Sequence, residues 1–368
     1  MSDLNTARKY PRLVGIDILR ISAAIWVACF HWSGGLGRFN ELRAPYPNLI
    51  ATNKLGVFGL LIRQGFIGVP IFFVISGFVL FLTTENRNPK TFFSARFSRL
   101  APGYFISLIP IFAFIKFGFI THRNTFVDQF WTTLTLTSTP TQNQPLQQSY
   151  WSLWVEVCFY GSIFLGILFL KDKFKSYKSF FSSLMAILLT TAVFVCPGAA
   201  PFKGAFQIVP LQFSYYFLLG GSLALIGRIR NHKYWLLVAP ALALSLVNLR
   251  SWIFSWDSQA NGDWKIGFLI FGVVLLIIYA ESSGFNYGLQ KLPGRVKDIL
   301  RTLGMSSYIF YLLQEAFSMP LISIFYAHIG HLHLVMAFVF IATLLISYSF
   351  SKYLEERLQR KIRRALNL

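Results

Sequence analysis

Apolar stretches long enough to cross a lipid bilayer recur along the whole of this 368-residue chain. A membrane-spanning helix needs about 20 mostly apolar residues. Only 13% of the residues are charged, roughly half the fraction that is typical of a soluble domain. The sequence therefore predicts an all-α polytopic membrane protein with about ten transmembrane helices. The predicted spans are residues 14–33, 57–83, 100–120, 150–170, 180–197, 208–227, 234–250, 265–280, 304–326 and 334–353.

These spans are expected to form a single membrane domain over residues 1–368, with no appended soluble domain. Asp17 and Arg20 interrupt the first apolar run, so we expect this run to remain as an anchor rather than to be removed as a signal peptide. Arg63 and Gln64 interrupt the start of the second span, which predicts a bend or a break at that point.

The basic residues give the chain a net charge of +20, but they form short clusters between apolar runs rather than one patch. That distribution is typical of membrane topology signals and argues against a nucleic-acid partner. With the N-terminus in the cytoplasm, 24 lysines and arginines fall in cytoplasmic segments and 7 fall in outer segments. The sequence therefore predicts that both termini are cytoplasmic.

Ionisable residues lie inside the first span, in the stretch "RISAAIWVACFH" that runs from Arg20 to His31. A helical residue advances by about 100°, so Arg20 and His31 face the same side and lie ~16 Å apart along the axis. Asp17 projects to within ~60° of Arg20. Such groups are costly in lipid and indicate a functional site. The alternative is that Asp17 and Arg20 form an ion pair while His31 lies at the membrane interface.

A second polar set lies in "SYWSLWVEVCFYG", where Ser152, Glu156 and Tyr160 are four residues apart and share one helix face. A carboxylate at this depth needs a partner, and His31 and Arg20 are the candidates. The alternative is a polar contact that fixes helix packing.

Two further stretches carry candidate residues. In "FFSARFSRL", Arg96 and Arg99 are spaced as a phosphate clamp, because guanidinium forks match phosphate oxygens. The alternative is ordinary positive charge on the cytoplasmic side. In "VPIFFVISGFVLF", Ser76 and Gly77 suit close helix packing. No cysteine spacing typical of a metal site is visible, and no metal is expected.

Four motifs follow the Arg/His helix in order: "FFVISGFVL", "ARFSRLAPGYF", "WSLWVEVCFYG" and "LGMSSYIFYLLQE". Together they resemble the acyltransferase 3 family of bacterial membrane proteins, the O-acetylase type, over about residues 10–350. The resemblance implies a multi-pass protein of the bacterial inner membrane. It implies transfer of an acyl group, often acetyl, from cytoplasmic acyl-CoA to a sugar hydroxyl at the outer face.

The resemblance also implies roles for particular residues. His31 and Arg20 correspond to the family's Arg/His helix, and His31 is suited to act as a general base. Arg96 and Arg99 correspond to the pair linked to the CoA phosphates. The remaining candidates are Glu156, which is expected to orient His31, and the supporting residues Asp17, Ser76, Ser152 and Tyr160. The chain departs from the family at Gln314, where a histidine is usual.

A proton-coupled transporter or flippase is the alternative function, in which Asp17, Arg20, His31 and Glu156 would form an ion relay. Transporters usually contain internal repeats with broken helices in matching halves. No such repeat is visible in the sequence, which favours the acyltransferase.

The charge distribution makes a testable prediction about topology. Reporter fusions at Asn143 and Leu368 should report opposite sides of the membrane, with Asn143 outside, because an odd number of predicted spans separates the two positions. The measurement is the activity of a sidedness-dependent reporter at each position. The same side at both positions would contradict the ten-span arrangement.

Overall fold

The computed structural model describes residues 13–32, 56–84, 88–117, 126–141, 143, 145–195, 210–229, 232–256, 264–284, 289 and 291–366. Within these ranges the chain is helical and contains no strand. The predicted all-α class is therefore confirmed. The α-helices of the described residues are α1 (Val14–Phe30), α2 (Gly56–Arg63), α3 (Gly68–Thr84), α4 (Pro89–Lys116), α5 (Phe126–Leu134), α6 (Trp151–Leu170), α7 (Tyr177–Val195), α8 (Ser214–Ile229), α9 (Trp235–Trp256), α10 (Trp264–Ser283), α11 (Gly294–Ala316), α12 (Ser318–Ile329), α13 (Leu332–Phe350) and α14 (Glu356–Ala365).

Six helical segments of the described chain are long and apolar enough to cross a membrane. They contain α3, α4, α6, α9, α10 and α13. Helices α11 and α12 add a seventh candidate if the pair, which is bent by 49°, counts as one span. The other predicted spans overlap α1, α7 and α8, which are not among these candidates.

The predicted interruption of the second span is present. Helix α2 ends at Arg63, a 3₁₀ turn covers Gln64–Ile67, and α3 begins at Gly68. This broken segment packs closely on α1, because a Cβ atom at Gly68 would lie 2.7 Å from the carbonyl oxygen of Ala23.

Helix α4 begins eleven residues before the predicted third span. Asn88 caps its N-terminus: the Asn88 side chain accepts a hydrogen bond from the Thr91 backbone N–H at 2.8 Å, and the Thr91 hydroxyl accepts one from the Asn88 N–H at 3.1 Å. Pro89 occupies the first helical position, where its missing N–H costs nothing. Arg96 and Arg99 therefore lie inside a helix rather than in the segment before it.

The predicted ninth span is bent rather than straight. Helix α11 ends at Ala316, and α12 begins at Ser318 at an angle of 49°. Gln314 and Glu315 are buried in the last turn before this bend.

Helices α3 and α8 are in close backbone contact. A Cβ atom at Gly77 would lie 1.9 Å from the Phe217 carbonyl oxygen, and one at Gly220 would lie 1.9 Å from the Val74 carbonyl oxygen. Small residues thus allow the two backbones to touch, as the sequence predicted for Gly77. The ring of Phe217 stacks on Phe73 beside this contact, with centroids 4.8 Å apart.

This packing predicts that Gly77→Ala destabilises the protein, because the added methyl group meets backbone atoms that have no room to move. Overpacking of this kind costs about 1–3 kcal/mol. Gly161→Ala in α6 is the matched control, since a Cβ atom there meets nothing within 4 Å. Thermal unfolding in one detergent should show a lower Tm for Gly77→Ala only. Equal Tm values for the two variants would contradict the observed α3–α8 contact.

Candidate active site

A cavity lies where α1, α3, α4, α6 and α11 meet. It leaves about 580 Å³ free of atoms, counting the part that is open to the outside. The lining residues are largely apolar, with charged and hydroxyl groups among them. Those polar and charged residues are Arg20, Ser76, Arg99, Ser152, Glu156, Ser307, Tyr308 and Tyr311.

The carboxylate of Glu156 is held by two hydroxyl groups. The Ser76 hydroxyl of α3 donates a hydrogen bond to Glu156 Oε1 at 3.1 Å. The hydroxyl of Tyr160, one turn further along α6, donates to the same oxygen. Hydrogen bonds to a charged acceptor are the stronger kind and fix its orientation. The predicted shared face of α6 is confirmed, and Ser76 contributes a contact as well as close packing.

Ser152 lies one turn before Glu156 and also lines the cavity. Its hydroxyl donates to the Ser149 carbonyl oxygen at 2.9 Å and lies 2.8 Å from the hydroxyl of Tyr311. Tyr311 of α11 is fixed further by a hydrogen bond to the Ser149 carbonyl oxygen at 3.2 Å. The pair therefore presents two anchored hydroxyl groups beside the carboxylate of Glu156.

Arg20 and Arg99 bring positive charge to the same cavity. Arg20 lies close enough to Arg99, Asp17 and Glu156 to interact with them electrostatically. Its Nη2 atom is buried and has no hydrogen-bond partner in the described protein. A buried guanidinium nitrogen without an acceptor is unfavourable, so this atom is a candidate contact for an anionic ligand.

Arg96 lies in a different environment from Arg99, although the two were predicted to act together. The Arg96 side chain is buried, donates from Nη2 to the Thr83 hydroxyl, and does not line the cavity. Its guanidinium lies over the rings of Phe92 and Tyr160, at 5.7 Å and 5.4 Å from the centroids. Arg96 therefore supports Tyr160, which in turn holds Glu156.

Asp17 lies on α1 against the backbone of α11. A Cβ atom at Gly304 would lie 2.8 Å from Asp17 Oδ1. Only glycine leaves room for the carboxylate at this contact. Asp17 thus joins two helices that line the cavity, and its charge acts on Arg20.

His31 follows α1 directly, in a π-helical turn that also contains Trp32. Its ring makes an edge-to-face contact with Phe30, with centroids 5.5 Å apart. His31 is half-buried and is not one of the residues that line the cavity. Trp32 donates from Nε1 to the Gln314 carbonyl oxygen at 2.9 Å, which ties this end of α1 to the bend after α11. The catalytic role of His31 stays a prediction.

A second polar group lies between the start of α6 and the end of α11, and the sequence had singled out only Gln314 among its members. Glu315 accepts a hydrogen bond from the Ser149 backbone N–H at 2.9 Å. Gln147 donates from Nε2 to the Leu312 carbonyl oxygen at 2.8 Å. The Gln314 side chain is fully buried, and neither of its amide atoms has a hydrogen-bond partner in the described protein. The sequence signal was the polar "QE" at the end of an apolar run.

Another buried carboxylate was also missed. Glu281, near the end of α10, accepts a hydrogen bond from the backbone N–H of Gly15 at 2.9 Å. A negative charge is favourable at a helix N-terminus, so Glu281 stabilises the start of α1 and sets its position.

Among the described residues, no group of three or more histidine, cysteine or acidic side chains is placed to hold a metal ion.

The chain matches the acyltransferase domain that defines the acyltransferase 3 family over residues 13–352. The match covers nearly the whole chain and contains every residue of the cavity. The protein therefore belongs to the acyltransferase 3 family, and it is an acyltransferase with multiple membrane helices. No curated protein and no solved structure matches the chain.

Proposed function

We propose that this protein transfers an acyl group, in the simplest case acetyl, from cytoplasmic acyl-CoA to a hydroxyl group of a surface or exported glycan. The transfer takes place at the outer face of a bacterial inner membrane. Family membership supports acyl transfer as the reaction. The observation that carries the proposal is the cavity, in which Arg20 and Arg99 lie with the carboxylate of Glu156 among apolar helices.

The proposed topology has ten membrane-spanning segments and two cytoplasmic termini. Each of the ten segments predicted from the sequence overlaps a helix of the described chain. Helix α14 carries five lysine and arginine residues within ten, which supports a cytoplasmic position for this end. In this arrangement Arg20 and Arg99 lie toward the cytoplasm, and His31 lies toward the outer face.

The phosphate groups of the donor are proposed to bind at the cytoplasmic end of the cavity. Arg99 and Arg20 line the cavity, and the buried Nη2 atom of Arg20 has no protein acceptor among the described residues. A phosphate oxygen would supply that acceptor, because guanidinium–phosphate pairs form strong charge-assisted hydrogen bonds. Arg96 serves the donor indirectly, since it positions Tyr160 and thereby Glu156.

The reaction is proposed to run by direct transfer at His31, which this topology puts on the outer side of the cavity and which is not one of the lining residues. The hydroxyl oxygen of the acceptor forms a bond with the thioester carbonyl carbon, and the carbon–sulfur bond breaks. His31 takes the hydroxyl proton as general base and returns it to the departing CoA thiolate. Glu156 supplies a negative charge that offsets the imidazolium. The hydroxyl groups of Ser152 and Tyr311 each donate their one proton to the Ser149 carbonyl oxygen, so either must release that oxygen before it can donate to the oxyanion.

The two arginines of α4 are expected to respond differently to substitution. Arg99→Ala should weaken acetyl-CoA binding by about tenfold or more, because a hydrogen bond to a charged group contributes about 1.5–3 kcal/mol. Arg99→Lys should restore only part of the affinity, since the lysine ammonium group cannot donate two parallel hydrogen bonds to a phosphate as a guanidinium does. Arg96→Ala should instead lower the Tm, because it removes the contacts with Thr83 and Tyr160.

Isothermal titration with acetyl-CoA and thermal unfolding, both in the same detergent, measure these effects. Unchanged donor affinity in Arg99→Ala would contradict the proposed role of Arg99 and leave it as ordinary positive charge on the cytoplasmic side.

His31 gives the sharpest test of the proposed chemistry. His31→Ala and His31→Gln should both abolish acylation of the acceptor, since removal of a general base costs about 10²–10⁴-fold in rate. Both variants should keep their acetyl-CoA affinity, because His31 does not line the cavity with Arg20 and Arg99. Acceptor acylation, acetyl-CoA affinity and the yield of folded protein are measured for each variant. A well-folded His31→Gln protein with near-normal turnover would rule out His31 as the base.

A further inference from the structure

We propose that helix α14 forms the surface-exposed part of the donor site, on the cytoplasmic side of the cavity, with Arg363 binding the ribose 3′-phosphate of CoA. The proposal rests on the proposed function above, in which acyl-CoA is the donor. It assigns a role to a helix that lies beyond the residues matched by the family, which end at 352.

A direct contact joins α14 to the helix that carries the donor arginines. Arg363 donates from Nε to the Ser98 hydroxyl at 3.1 Å. Ser98 is fully buried in α4, next to Arg99 in the sequence. The bond uses one N–H group of the guanidinium and holds the side chain in place, while the residue as a whole is exposed. The other N–H groups are a preorganised fork of the kind that binds phosphate.

Further contacts hold α14 at this end of the cavity. Glu355, in the π-helical turn before α14, accepts hydrogen bonds from the Ser351 hydroxyl at 2.6 Å and from Gln359 Nε2 at 3.1 Å. Its carboxylate lies close enough to Arg99 and Arg20 to interact with both electrostatically. Leu358 packs on the apolar cluster formed by Ile309, Leu313 and Phe350. Helix α14 is therefore docked beside the arginines of the cavity rather than separate from the fold.

The positions of the phosphate groups along CoA match the positions of Arg99 and Arg363. CoA carries a diphosphate between its pantetheine arm and its nucleoside, and a 3′-phosphate on the ribose at the end remote from the thioester. Arg99 lines the cavity, whereas Arg363 lies at the surface on the neighbouring helix. With the thioester inside the cavity, the diphosphate would come near Arg99 and the 3′-phosphate near Arg363. The basic surface of α14 also raises the local concentration of an anionic ligand.

The experiment compares Arg363→Ala with Arg364→Ala as a matched control. Arg364 is exposed on the same helix and carries the same charge, so Arg364→Ala removes an equal charge but leaves the Arg363–Ser98 hydrogen bond in place. Affinities for acetyl-CoA and for its dephospho form, which lacks the 3′-phosphate, are measured in a neutral detergent. Arg363→Ala should weaken acetyl-CoA binding about tenfold and leave dephospho-acetyl-CoA binding unchanged. Arg364→Ala should bind both ligands as the wild type does.

Three results would overturn the proposal while leaving the proposed function intact. One is equal acetyl-CoA affinity for Arg363→Ala and Arg364→Ala. Another is an equal loss of affinity for both ligands in Arg363→Ala. The third is a loss that appears only in nanodiscs of anionic lipid, which would assign Arg363 to a lipid headgroup. Failure of the wild-type protein to bind acetyl-CoA at all would instead reject the proposed function, so the two failures are distinguishable.

Discussion

The placement of one carboxylate and two arginines in a cavity among apolar helices is the constraint on which the rest of this structure depends. An ionisable group inside a bilayer needs a partner or a water-filled cavity, and such groups often mark functional sites. Glu156 meets this need with hydrogen bonds from Ser76 and Tyr160, and with the nearby charge of Arg20. The helices around the cavity must hold these groups in place, because a small shift would leave a charge unpaired.

Small residues at backbone contacts hold the helices around the cavity in place. Gly77 and Gly220 bring α3, which carries Ser76, against α8. Gly304 brings α11, which carries Tyr308 and Tyr311, against Asp17 of α1. Glu281 fixes the start of α1 through the backbone of Gly15. Without a hydrophobic driving force between helices in lipid, such close contacts and buried hydrogen bonds are the means of association.

Sequence reasoning succeeded where the signal was local and periodic. The spacing of Ser152, Glu156 and Tyr160 placed them on one helix face, and the interruption at Arg63 and Gln64 marked a real 3₁₀ turn. It was less successful where tertiary contacts decide the outcome. Arg96 and Arg99 look equivalent in the sequence, yet one is buried against Thr83 and the other lines the cavity.

Tyr311 and Glu281, like Glu315 and Gln147, were missed because of where they lie along the chain. Tyr311 was missed because it lies in an apolar run, and only the fold brings it to Ser152. Glu281 was missed because its partner, the backbone N–H of Gly15, lies 266 residues away in sequence.

Acyl transfer to a glycan hydroxyl at the cavity around Glu156 is the proposed activity on which the other residue roles depend. The most direct measurement is the mass of surface polysaccharide from cells that lack the chain and are complemented with the wild type or with Glu156→Gln. Both proteins must be present at equal levels in the membrane. The account predicts that the wild type adds the mass of an acyl group to the polysaccharide and that Glu156→Gln does not. An equal mass increase with both proteins would contradict it.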